Sequence, residues 1–187
     1  MRKIKNMKIK NMKINIVSML SAASLALIFL TCGSTVSLGI DCDIRAYVTD
    51  KDRNGVNVRD SPSKDGELMG LIPFYKEGTY VHIVAMANSA NGWVQIDKAE
   101  TVAQRISFTG NGWVSGNTLG MSVRGVEGGV KLYQDGNKES KVLTRIPLET
   151  EVKIAGCDGK WALVKYKSFT GWLEPDDQCA TLEGVCN

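Results

Sequence analysis

The sequence predicts an all-β protein: two small β-barrels in tandem behind a cleaved leader. Three observations carry this. Apolar residues alternate in short runs, turn residues separate the runs, and the same order of runs occurs twice. Beyond Asp41, no apolar stripe at helical spacing is sustained over about ten residues.

The chain has 187 residues, with 23 Lys and Arg against 20 Asp and Glu. Arg2, Lys3, Lys5, Lys8, Lys10 and Lys13 are the only charged residues before Asp41, so the remainder is 17 basic against 20 acidic. The basic excess belongs to the N-terminus and gives no reason to expect nucleic acid as a partner. Residues 14–30 are apolar and uncharged, and small residues follow them. Basic, apolar and small segments in that order are those of a signal peptide. Two ends fit. Ser37 and Gly39 suit ordinary cleavage, giving a leader of 1–39. Cys32, at the end of the apolar run, suits a lipobox-like site, giving 1–31 and a lipidated Cys32. The expected location is therefore exported: periplasmic, anchored in the outer membrane as a lipoprotein, or extracellular. Contact with membrane is expected only through that lipid.

Setting Cys32 aside leaves Cys42, Cys157, Cys179 and Cys186. An even number in an oxidising compartment predicts two disulfides, with three connectivities open. Zinc is not expected: no pair has the short Cys spacing of a structural site, and the lone His82 lies apart.

The exported part reads as two copies, 42–120 and 121–187. Residues 55–73 align without a gap with 129–147, pairing Val56 with Val130, Val58 with Leu132 and Ile72 with Ile146. Tyr80–Val84 is set against Glu151–Ala155, and Trp93 against Trp161. The tetrapeptide SFTG occurs at 107–110 and 168–171, and each copy ends in a Gly-Trp strand, at Trp113 and Trp172. Residues 97–106 lengthen one hairpin of the first copy. Recurrence within a repeat marks packing, so Trp113 and Trp172 are expected in the core.

The order Val56-Asn57-Val58-Arg59, Ser61-Pro62-Ser63, Leu68-Met69-Gly70-Leu71, Gly92-Trp93 and Gly112-Trp113-Val114 resembles the bacterial SH3-like (SH3 type 3) domain family. The resemblance covers 44–120, and the copy at 126–177 is degenerate. It implies a small SH3-like barrel in each copy. It also implies a cell-wall or adhesion module, with cell-wall glycan, wall peptide or an envelope protein as partner.

A catalytic role is not expected. His82 is the only imidazole and reads as a solvent-facing strand residue, and no G-x-S-x-G elbow occurs. Residues 50–55 match the first half of a calcium loop, but Ser61 stands where its bidentate Glu belongs, so a turn is expected. No cofactor is expected. The candidate ligand contacts are Arg59 and Asp60, where a strand enters its turn; Tyr133, which replaces Arg59 in the second copy; Trp93 and Trp161; and Tyr75, an aromatic in a loop. The expected function is a non-catalytic exported binding module. The alternative is a structural or interaction subunit (a spacer, partner or inhibitor of an envelope enzyme) with no small ligand.

Overall fold

The computed structural model describes residues 40–74, 82–101, 103–124 and 127–180. The leader with Cys32, Tyr75 and Cys186 lie outside them. The expected all-β class holds, and no α-helix occurs among the described residues. The first half contains β1 (Ile40–Val48), β2 (Val56–Arg59), β3 (Leu68–Ile72), β4 (His82–Ala90), β5 (Trp93–Thr101) and β6 (Ile106–Ser115). Next comes β7 (Leu119–Val123). The second half continues with β8 (Val130–Tyr133), β9 (Val142–Ile146), β10 (Glu151–Asp158), β11 (Trp161–Tyr166), β12 (Phe169–Leu173) and β13 (Gln178–Cys179). Short 3-10 turns at Gly116–Thr118 and Pro175–Asp177 follow β6 and β12.

The pairing order is β3-β2-β6-β5-β4-β1-β7-β10-β11-β12-β8-β9, with β13 added on β7. This is one open ladder, not two separately closed barrels. It runs through corresponding strands in opposite order on either side of the β1–β7 pair. The border expected at 120/121 falls inside β7, which serves both halves. Its Leu119 and Gly120 pair with Val48 and Tyr47 of β1. Its Ser122 and Val123 pair with Cys179 and Gln178 of β13. One backbone bond repeats at each place: Thr49 N–H donates to Thr118 O at 2.9 Å, and Arg124 N–H to Asp177 O at 2.8 Å.

The period-2 pattern explains the core. Along β5, Val94 and Ile96 are buried while Trp93 and Gln95 are half-buried, and β10 buries Val152 and Ile154 likewise. These side chains join Val84, Met86, Leu119, Met121, Val164 and Leu173 in one cluster spanning both halves. Each fully buried aliphatic side chain contributes about 1.5–3 kcal/mol.

Two details of the repeat differ from the sequence alignment. Ala46 pairs with Val84 and Met121 with Val152, while Ala90 pairs with Trp93 and Asp158 with Trp161. Val84 and Met86 therefore correspond to Val152 and Ile154, a shift of three residues from the alignment of 80–84 with 151–155. Ala85 and Ala87 read as apolar in sequence and blur the alternation of β4. The two SFTG runs also occupy different places. Gly171 pairs with Val164 as Gly112, not Gly110, pairs with Ile96. The lengthened hairpin of the first half displaces its SFTG by two residues.

The halves meet across a polar and covalent seam. Cys42 and Cys157 form a disulfide with Cα atoms 5.6 Å apart, and Cys179 is also disulfide-bonded. The Ser89 hydroxyl donates to Cys157 O at 3.0 Å and accepts from Cys157 N–H at 3.1 Å. Tyr47 Oη and Ser122 Oγ are 3.0 Å apart. Burial holds the Tyr47 phenol above its ordinary value, while the Ser122 hydrogen bond pulls the other way. Gly116 has no room for a side chain, since a Cβ there would lie 2.8 Å from Ile154 O and 2.9 Å from Gly92 O.

Candidate functional site

The Gly-Trp strands set up the site. On β6, Gly112 and Val114 are buried while Trp113 is half-buried; on β12, Gly171 and Leu173 are buried while Trp172 is half-buried. Trp113 and Trp172 are thus not the core residues expected. Alternation gives the inward positions to glycine and an aliphatic. A Cβ on Gly112 would lie 2.3 Å from Val58 Cγ1, and one on Gly171 would lie 2.6 Å from Tyr133 O. Glycine lets the neighbouring strand cross closely and leaves the indole on the opposite face.

The turn after β2 is a built object. Asp60 N–H donates to Glu67 O at 3.0 Å, Ser63 N–H to Ser61 O at 2.8 Å and Gly66 N–H to Ser63 O at 3.3 Å. Asp60 Oδ1 accepts from Ser61 Oγ at 2.9 Å and Glu67 N–H at 2.8 Å. Arg59 Nη1 donates to Gly66 O at 2.6 Å. Asp60 therefore braces the turn, and Arg59 is oriented by it.

Beside this turn lies a groove of about 220 Å³, lined among others by Arg59, Lys64, Trp93, Ser115, Asp50 and Asp52. Two of the expected contacts, Arg59 and Trp93, come together there. The loop before β2 forms its acidic side. Asp50 Oδ1 accepts from Asp52 N–H at 3.1 Å, and Asp52 Oδ1 accepts from Asn54 N–H at 2.9 Å and Asn54 Nδ2 at 3.0 Å. The residues that resembled half a calcium loop are caps of a turn closed at Gly55, whose φ is 82°. His82 stands in β4 opposite Thr101.

The second half repeats the turn. Gln134 N–H donates to Lys141 O at 2.8 Å, Asn137 N–H to Asp135 O at 2.8 Å and Ser140 N–H to Asn137 O at 3.4 Å, each 74 positions beyond its counterpart. Trp172 pairs with Tyr133 as Trp113 pairs with Arg59. The side chains differ. Tyr133 is only 2% exposed, and its ring stands edge-on to Trp161 with centroids 5.8 Å apart. Gly136 lies over Trp161 and Trp172, 3.7 Å from each to where its Cβ would be. Lys138 forms an ion pair with Glu174. The hydrogen bond to Glu174, and then its charge, hold the Lys138 ammonium above the ordinary lysine value. Burial, and then the charge of Glu174, hold the Asp177 carboxyl above the ordinary carboxylate value.

Tyr133 and Trp161 are thus brought together, but as packed neighbours. Lys64, Ser115, Asp50 and Asp52 were not among the expected contacts. The gapless alignment already set Lys64 against Lys138, and the Gly-Trp strands set Ser115 against Glu174, so a signal was present.

The model of the bacterial SH3 domain matches residues 128–177. The match lies on the half read from sequence as degenerate, not on 44–120. Its hairpin is the short one, without the extension that separates the strands of the first half. No curated protein matches the chain. Among solved structures, "Structure of NlpC2 from Trichomonas vaginalis" shares 13% identity at a TM-score of 0.32, covering 78% of this chain and 51% of its own. "Structure of NlpC1 from Trichomonas vaginalis" shares 14% identity at 0.30, covering 73% and 45%. The chain thus spans about half the length of each.

Proposed function

We propose that the protein is a non-catalytic, exported binding module built from two SH3-like units, and that it recognises peptidoglycan or an envelope peptide. The observation that carries this reading is the first-half groove, where an indole wall, two cations and two carboxylates converge on a space of about 220 Å³. The bacterial SH3 match to the second half supports it, and so does the repeat of the turn and its pairings in the first. The leader motif supports export, and the Cys42–Cys157 disulfide agrees with an oxidising compartment.

A second reading has its own observation. The second-half turn is packed onto Trp161 and Trp172 and tied by Lys138 to Glu174, which favours a purely structural or partner-holding role for that half. Co-sedimentation of the purified protein with cell-wall sacculi tests the main proposal. Saturable pelleting that survives moderate salt and falls about tenfold or more in Trp93→Ala is the expected result. Absence of pelleting leaves the partner-holding reading, to be pursued by cross-linking in the envelope.

A further inference from the structure

Resting on that reading of the groove, we propose that the first half takes its ligand by a carboxylate, which sits against Lys64 in the place that Glu174 fills against Lys138. The two turns share their backbone hydrogen bonds, so Lys64 and Lys138 occupy the same position. In the second half the lysine has its anion within the chain. In the first half Ser115 stands at the position of Glu174, and Thr118 at that of Asp177. Two acids have become two hydroxyls. Arg59 stands at the position of Tyr133, so a buried ring has become a second cation. Among the described residues Lys64 makes no ion pair or hydrogen bond.

The change in one direction at three places converts a self-satisfied face into an open cationic end beside Trp93. A carboxylate there accepts charge-assisted hydrogen bonds from Lys64 and from the Arg59 nitrogens not engaged with Gly66, with the Ser115 hydroxyl as a further donor. Asp50 and Asp52 line the same groove, each with one oxygen engaged in its turn. They oppose a ligand that is only anionic and favour one that also carries an amine. The ligand class is a short peptide with a free carboxylate, whether from the wall or from the end of a protein.

The test is a titration of purified ¹⁵N-labelled protein with trialanine, whose amine is free, and with its C-terminal amide, read at the indole N–H signals of Trp93 and Trp161. The acid is expected to move Trp93 and to bind about tenfold or more tightly than the amide. Lys64→Gln, an exposed position, is expected to remove that preference. Ser115→Glu is expected to do the same by installing the second-half pair. Glu174→Ser is expected to create a response at Trp161. Spectra of the variants report folding directly. Equal binding of acid and amide, no response to either, or unchanged binding in Ser115→Glu would overturn the proposal. If wild-type protein still pellets with sacculi after any of these results, only the carboxylate assignment fails. If pelleting also fails, the wall-binding reading fails with it. Wall stem peptides and a protein-type peptide with a free C-terminus, compared in a second titration, identify the source: preference for either is expected.

Discussion

Lys64 and Lys138 sit on turns with the same backbone hydrogen bonds, yet one faces a groove and the other an ion partner. Among the many differences around them, three bear on the charge each lysine meets: Arg59 for Tyr133, Ser115 for Glu174, Thr118 for Asp177. Backbone geometry in both halves is fixed by turn hydrogen bonds and by glycine at the strand crossing. Side chains laid on that frame then decide whether a face is open or filled. The same turn frame thus carries an open face in one half and a filled one in the other.

The strongest way to break the comparison is to release the halves from each other. Replacing both Cys42 and Cys157 by Ser is expected to lower unfolding stability by about 2–5 kcal/mol, because a long closed loop is freed in the unfolded chain. Urea denaturation measures this, and a single transition that splits in two would show the halves separating. Next comes Gly116→Ala. Its Cβ would press on two backbone carbonyl oxygens, so a cost of about 1–3 kcal/mol is expected. The corresponding Pro175 is exposed, and Pro175→Ala is expected to change the midpoint little, giving a within-chain control.

The smallest effect concerns pH. The folded value of Asp177 lies above 3.8, so the native state holds its proton more firmly than the unfolded chain. That contribution is complete below the unfolded value and is lost as pH rises through the folded one. Asp177→Asn is expected to remove this loss, flattening the thermal midpoint as pH rises above 3.8. A variant that keeps the wild-type slope would assign the slope to another group.

Much of the architecture was legible. Alternation located the strands carrying Val56, Val94 and Val164, and the gapless alignment of 55–73 with 129–147 added the strand carrying Val130 and matches the turns that the structure builds. Alignment failed where alanine mimics a core residue, in β4, and where a short identical string outweighed pairing, at SFTG. Recurrence does not fix the place of Trp113 and Trp172, because strand parity puts glycine and valine or leucine inside. Asp60, a candidate contact at a strand end, has one carboxylate oxygen engaged in its own turn, which the sequence does not show. Lys64 is hard to single out in sequence, because a lone lysine in a polar turn looks ordinary until the serine at 115 is seen in the place of Glu174.

Because Leu119–Val123 pairs with strands of both halves, a cut at 120/121 falls inside a shared strand and not in a linker. Severing the chain at 120/121 would divide a strand, taking Leu119 and Gly120 from the run that continues into Ser122 and Val123. Neither fragment would be a whole module. Grafting the groove elsewhere therefore means carrying Leu119–Val123 whole, along with the strands it pairs with on both sides.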